Sequence, residues 1–236
     1  MGIPKKLGQI WIGPYKPPTD AMKTWQEKHP GWEYTLYDND FLWGGAVTDW
    51  KLLPHIREYW TLMQFAGVAD CMRYELLYRH GGFLAEADSI CLHPVDGLFS
   101  KTCAYTVYEN EFLRGDLVSP IFACEPHNPF VGELIQRISE VDPLKLSEPS
   151  TSTGNLFVAR TIRELQPKIV VFPSHYFNPD HYTGETYKGS DVIYARQLWG
   201  TTHDLFKEPG GIRCRLSILK MKINRKRRKH ERRLAQ

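Results

Sequence analysis

Two acidic side chains two residues apart, Glu86 and Asp88, close a short apolar stretch, Phe83-Leu84-Ala85, that follows a Gly81-Gly82 pair. In an extended chain residues two apart point the same way, so both carboxylates are expected to face one spot. Oxygen donors of this kind suit Mg2+ or Mn2+, either of which can hold a diphosphate at the same time. Ahead of the glycines, Asp70 and Arg73 stand three apart, a spacing that puts them on one face of a helix, with Leu77 continuing it. Reversal at the glycines would carry the apolar stretch back past that face. An acid-x-acid triplet is common at solvated strand ends, and Asp70 with Arg73 could equally form an intrahelical ion pair worth under about 1 kcal/mol. The pattern takes its meaning from the elements that position it.

Those elements alternate. Lys6 to Gly13 reads as a buried strand closed by a Gly-Pro turn, Pro17 to His29 as a helix, and Trp32 to Asp38 as a second strand. Leu53 to His80 is helical in pattern, with a break expected near Trp60, and glycines 81 and 82 end it. Phe83 to Ala85 then forms a very short strand, and Cys91 to Leu98 leaves the acidic pair through a turn. Further strands are expected at Ala104 to Val107, Ile121 to Ala123 and Lys168 to Phe172, with helices at Asn128 to Val141 and Thr153 to Glu164. Pro173 to Gly189 is a long loop, and long loops in compact domains often carry function. The alternation indicates an α/β fold with a mostly parallel sheet. Carboxylates at the carboxyl end of a buried strand then lie where such folds bind ligands.

At 236 residues and 42% hydrophobic the chain fits one substantial domain with an ordinary core. No apolar run is long enough for a bilayer span or a signal peptide. The five cysteines show no CxxC spacing and read as reduced, mostly buried thiols of a cytoplasmic protein. The net charge of +3 conceals a division. From Ile212 onward there are 11 Lys and Arg and a single acid, Glu231, for a local charge of +10, which leaves −7 on residues 1–211. The expected organisation is a domain over 1–211 and a basic amphipathic tail over 212–236.

The run RYELLYRHGGFLAEAD resembles RYxxLyxxGGxYxDxD, the signature of the sugar-binding DXD glycosyltransferases. IPKKLGQIWIG and HPGWEYTLYDND are similar to that family's IPKxIHQIWxG and xPxWEYxLWDD. The nearest resemblance is to glycosyltransferase family 32, with yeast initiating α-mannosyltransferases and bacterial capsular polysaccharide transferases, and more distantly to the clostridial glucosylating toxins.

The resemblance implies a GT-A fold, a Rossmann-like sheet with the acidic motif at its centre. It places Gln9, Ile10 and Trp11 against the nucleotide and carries Gly82 of the motif among the nucleotide-binding positions. Asp70 and Arg73 are implied to reach the donor sugar's hydroxyls and the diphosphate. Asp88 takes the position of the direct ligand to Mn2+ or Mg2+. Glu86 replaces the first Asp of DXD and is one methylene longer, so it is expected to shift the metal or to work through water and ribose. Near the carboxyl end, TSTGNLF resembles the family's TGP segment, and VIYARQLWGTTHDLF lies where relatives show YAIHHWxxSW. Trp199 is retained there, while Gln197, Thr202 or His203 would supply the remaining ligand. The implied reaction is hexose transfer with retention, from a UDP- or GDP-sugar to a glycan or lipid-linked acceptor.

The tail scatters apolar residues (Ile212, Leu216, Ile218, Leu219, Met221, Ile223) ahead of a dense cationic run. Such a segment can lie on an anionic membrane surface, each cation there contributing about 1 kcal/mol, or it can be a solvated, frayed end. Two further readings are a nucleic-acid-binding protein acting through this tail, and a nucleotide-sugar-binding relative without turnover.

Overall fold

Parallel neighbours flank the first strand, β1 (Lys6–Ile10), on both sides: β2 (Glu33–Tyr37) and β3 (Gly82–Ala85). Helix α1 (Thr19–Lys28) links β1 to β2, and α2 (Asn39–Trp43), α3 (Leu53–Thr61) and α4 (Phe65–His80) link β2 to β3. The sheet continues antiparallel through β6 (Ala123–Cys124) to β5 (Ala104–Val107) and ends in β7 (Ile169–Phe172), parallel to β5. Its order is β2-β1-β3-β6-β5-β7, which makes β3 a central strand. A separate antiparallel ribbon joins β4 (Ser89–Cys91) to β8 (Ala195–Gln197). The remaining helices are α5 (Glu111–Arg114), α6 (Pro129–Ser139), α7 (Pro149–Ser152), α8 (Asn155–Leu165) and α9 (Ile212–Leu234). The computed structural model describes residues 2–200, 202–203, 205–206 and 212–234, with the backbone alone for 212–214 and 234.

All four residues of β3 are buried, as expected of a strand covered on both faces. Phe83 and Ala85 enter a largely aromatic core with Trp25, Phe99, Tyr105, Phe122 and Phe172, while Leu84 enters the core beneath α3, α4 and α6. That alternation is the strand's period of two. Helix α4 is buried around almost its whole circumference from Gly67 to Leu77, the mark of an interior helix. It nonetheless carries Asp70, Arg73 and Glu75, and each has a partner. Glu75 accepts from the Leu52 amide at 2.8 Å and pairs with Arg79 at 3.4 Å.

The turn between α4 and β3 needs its glycines. Gly81 and Gly82 have φ of 61° and 96°, and a Cβ on Gly82 would come within 2.6 Å of the Lys6 carbonyl oxygen. The reversal expected from sequence therefore forms, and it lays β3 beside β1 with its carboxyl end pointing to the ligand side of the sheet.

The break expected near Trp60 forms, with α3 ending at Thr61 and Met63 at φ 57°. Other features differ from the sequence expectation. The last central strand covers Ala123–Cys124 rather than Ile121 to Ala123. Strands β4 and β8 were not expected, because they are specified by each other across more than a hundred residues. Most of the tail is helical, and residues 207–211, at the expected boundary, lie outside the described residues. Cys71, Cys91, Cys103 and Cys124 are buried free thiols, whereas the Cys214 side chain lies outside those described. Among the described residues no helix is long and apolar enough to cross a membrane.

Candidate active site

Arg73 is the hub. Its side chain is 6% exposed, and its guanidinium donates from Nη1 to the Leu84 carbonyl at 3.2 Å and from Nη2 to Glu86 Oε1 at 2.6 Å. One side chain of α4 thus binds both the backbone of β3 and the carboxylate just past its end. The Glu86 carboxylate belongs to a half-solvated, charge-assisted pair, its side chain 45% exposed.

Residues 86–89 do not stay extended. Ser89 donates to the Glu86 carbonyl through its amide at 3.3 Å and its hydroxyl at 2.7 Å, closing a turn. The expectation that spacing in a strand aims both carboxylates at one spot is thereby corrected: Glu86 reaches Arg73, and Asp88 reaches Gln197 at the end of β8 and Gly200 just beyond it. Asp88 Oδ1 accepts from Gln197 Nε2 at 2.8 Å and Oδ2 from the Gly200 amide at 2.7 Å, while Leu198 N–H donates to the Asp88 carbonyl at 2.9 Å. The Gly200 amide is presented by a strained residue. Trp199 has φ 53°, uncommon for a non-glycine and costing about 1–3 kcal/mol. It is held by its indole N–H donating to the Asp180 carbonyl at 2.6 Å and by edge contacts with His181 and Tyr182.

Asp70 faces the site from α4, beside Arg73. Its Oδ2 accepts from the Thr153 hydroxyl at 2.9 Å, and the Thr153 carbonyl accepts from the buried Tyr74 hydroxyl at 2.5 Å. A Cβ at Gly154 would stand 3.1 Å from Asp70 Oδ2, so the Thr-Gly pair before α8 packs directly on the carboxylate. Burial raises the Asp70 carboxyl from the ordinary range to about 7. The Thr153 bond and Arg73 oppose the shift, and Glu86 adds to it.

Gln9 is fully buried on β1 and ties the strand ends together, donating to the Glu86 carbonyl at 3.3 Å and accepting from the Tyr34 hydroxyl at 3.1 Å. Ile10 is buried beside it. Trp11 lies just past β1, its indole N–H on the Tyr15 carbonyl at 2.9 Å and its ring edge-on to Phe206 at 5.6 Å. A 30 Å³ cavity between Trp25, Phe83, Glu86, Ser89, Asn178 and Gln197 adjoins the acidic turn, with room for a water or two.

Gly82 stands apart from these residues. It opens β3 at the end away from Glu86, where it packs closely on Lys6. His203 is exposed in the turn after Trp199, where its amide donates to the Trp199 carbonyl at 2.9 Å. Gln197 thus meets Asp88, whereas His203 is held through its amide. The polar residues of the long loop diverge: Asp180 pairs with Arg196, His181 with Glu109 at 3.4 Å, and His175 stacks on Tyr187. Thr153 lies in TSTGNLF, the segment matched to the TGP motif, with no role assigned to it from sequence, and Glu109 escaped the sequence reading. Glu109 is buried, accepts from Asn155 Nδ2 at 2.5 Å and supports His181 under Trp199. Glu109 has no local pattern that could have marked it.

The donors fit a hard divalent cation. Asp88 offers a carboxylate, and Gln197 offers an amide oxygen once its amide is turned, an assignment that rests on the hydrogen-bond network. Glu86 lies two residues away. Among the described residues no group of three or more His, Cys, Asp or Glu could hold a metal alone. A set this sparse suits an ion that keeps one or two protein carboxylates and completes its shell with phosphate oxygens.

Residues 18–105, which include α1, α4, the glycine turn and the acidic pair, match the model of the glycosyltransferase sugar-binding region containing the DXD motif. The segment that holds the glycine turn and the acidic pair is thus similar to that sugar-binding region. Over 219 residues it is 23% identical to inositol phosphoceramide mannosyltransferase 1 of Schizosaccharomyces pombe, covering 80% of this chain and 64% of that protein. It is 22% identical over 167 residues to an uncharacterized glycosyltransferase of Acanthamoeba polyphaga mimivirus, covering 69% of this chain and 65% of that one. The chain therefore spans just under two thirds of the length of these relatives. Among solved structures, PaToxG glycosyltransferase superposes with a TM-score of 0.58 at 14% identity, covering 70% of this chain and 71% of that one. That superposition shows the GT-A fold.

Proposed function

We propose that this chain is a glycosyltransferase that moves a hexose from a UDP- or GDP-sugar to a glycan or lipid-linked acceptor, with retention of configuration and with Mn2+ or Mg2+. The observation that carries the proposal is the placing of Arg73 and Glu86, with Asp70 beside them on α4 and Asp88 in the turn that follows, at the end of one buried strand, each held by a partner from another element. The relative from Schizosaccharomyces pombe, named for mannose transfer to inositol phosphoceramide, favours a lipid-linked acceptor.

In this reading the Arg73 guanidinium turns from Glu86 toward the donor diphosphate and stabilises the negative charge that grows there as the sugar leaves. Asp88, with Gln197 and Glu86, would hold the divalent cation, which would supply neutralising charge at the same diphosphate. Asp70 accepts hydroxyl hydrogens of the donor sugar and fixes its orientation. Gln9 and Trp11 hold the nucleoside end. No side chain is required as a nucleophile, so rate acceleration comes from positioning and electrostatics.

A thermal-shift screen of UDP-glucose, UDP-galactose, UDP-N-acetylhexosamines and GDP-mannose, each with and without Mn2+, tests the donor assignment. A true donor at one hundred times its dissociation constant should stabilise the chain by about 2.7 kcal/mol. That shift should require Mn2+. Flat melting curves across the whole panel would contradict it.

A further inference from the structure

We propose that α9 is a membrane-surface helix, fixed to the body through one face and presenting the opposite face to an anionic bilayer. Its 23 residues span about 34 Å. The inner face consists of Ile218, Met221, Arg225, Arg228 and Arg232, which recur every three or four residues and are all partly buried. Arg228 Nε donates to Glu58 Oε2 at 2.8 Å, and Arg232 Nε stands 3.9 Å from Glu58 Oε1. Arg232 also donates to the Leu144 carbonyl at 2.6 Å and to that of Leu146. Glu58 lies on α3 with its side chain 3% exposed. A carboxylate so buried needs a cationic partner, and α9 supplies two. This contact distinguishes a docked helix from a frayed tail.

Docking of that face aims its opposite outward. Leu216, Leu219 and Ile223, spaced three and four apart, lie across the helix from the inner residues and are 54%, 55% and 59% exposed. Lys220, Lys222, Lys226, Arg227 and Lys229 flank and extend this stripe, all exposed. An outward apolar stripe edged by cations on a helix tied to a folded body is the layout of an interfacial helix. Charge complementarity selects the occupant: each cation near an anionic leaflet strengthens partitioning about fivefold, and the apolar stripe has a use in the acyl boundary that a nucleic-acid backbone does not offer.

Co-sedimentation of the full chain with vesicles tests this, using pure phosphatidylcholine and phosphatidylcholine with one third phosphatidylserine. Binding is expected to the anionic vesicles only. The combined variant Leu216→Gln, Leu219→Gln and Ile223→Gln should weaken it at least about tenfold, with unchanged circular dichroism and unchanged consumption of a soluble donor. Glu58→Gln should expose the α9 arginines to trypsin while vesicle binding persists. Absence of binding to anionic vesicles would overturn the proposal, as would full retention of binding in the triple variant. Binding of polyuridine RNA in preference to vesicles would also overturn it, and unchanged trypsin protection in Glu58→Gln would overturn the anchoring contact.

Discussion

Asp70 is a buried carboxylate held against its own ionisation. With its carboxyl at about 7, the folded chain binds that proton more tightly than the unfolded chain, whose aspartates ionise near pH 4. The stability this contributes is complete below about pH 4, declines as pH rises through about 7, and is absent above that. Asp70→Asn is neutral at every pH and should lack this slope. Its melting temperature should exceed that of the wild type by several degrees at pH 8, while donor turnover falls at least about tenfold. Parallel melting-temperature profiles for the two proteins would contradict the placement of a strained, functional acid at this position. Asp70, Arg73 and Asp88 were legible because their spacing and motif are local. The pairings that set their chemistry were not, although Gln197 and the TSTGNLF segment were themselves marked from sequence. Thr153 meets Asp70 across 83 residues of sequence and Gln197 meets Asp88 across 109, and no periodicity connects positions so far apart. The turn at Ser89 was hidden for a related reason, since a serine after an acidic pair fits a strand as well as it fits a hydroxyl-closed turn.

The element that decides the site is the α4–β3 hairpin. Reading Gly81 and Gly82 as a helix stop was sufficient to place β3, because helix capping and left-handed backbone are local requirements. At Gly82 the demand is doubled by a positive φ and by the Lys6 carbonyl 2.6 Å from any Cβ. Gly82→Ala should therefore cost about 2 kcal/mol or more, lowering the melting temperature by about 4–8 °C in a chain of this size. The fraction that remains folded should bind donor normally. A donor-binding defect without loss of stability would return Gly82 to the nucleotide site. Strands β4 and β8 are three residues each and exist by pairing with each other. Sequence pattern does not reach such elements, although β8 is the one that brings Gln197 to Asp88.

At the scale of the whole molecule, charge is sorted along the chain. Residues 1–211 carry −7 and the remainder +10, and Glu58 joins the two parts through Arg228 and Arg232. The sequence marked this division from composition alone, but it did not show which face of the tail would dock, because that depends on a single buried carboxylate on α3. An acidic body would be repelled by an anionic surface, so a basic helix on one side would also set which way the body faces. In the proposed reaction Asp88 holds the cation. The most direct measurement is release of nucleoside diphosphate from the donor that stabilises the chain, followed with and without Mn2+ in the wild type and in Asp88→Ala. Mn2+-dependent release by the wild type, reduced at least about a thousandfold in Asp88→Ala, is the expected result. Equal release by the two proteins, or release indifferent to the cation, would contradict a metal-assisted transferase centred on this residue.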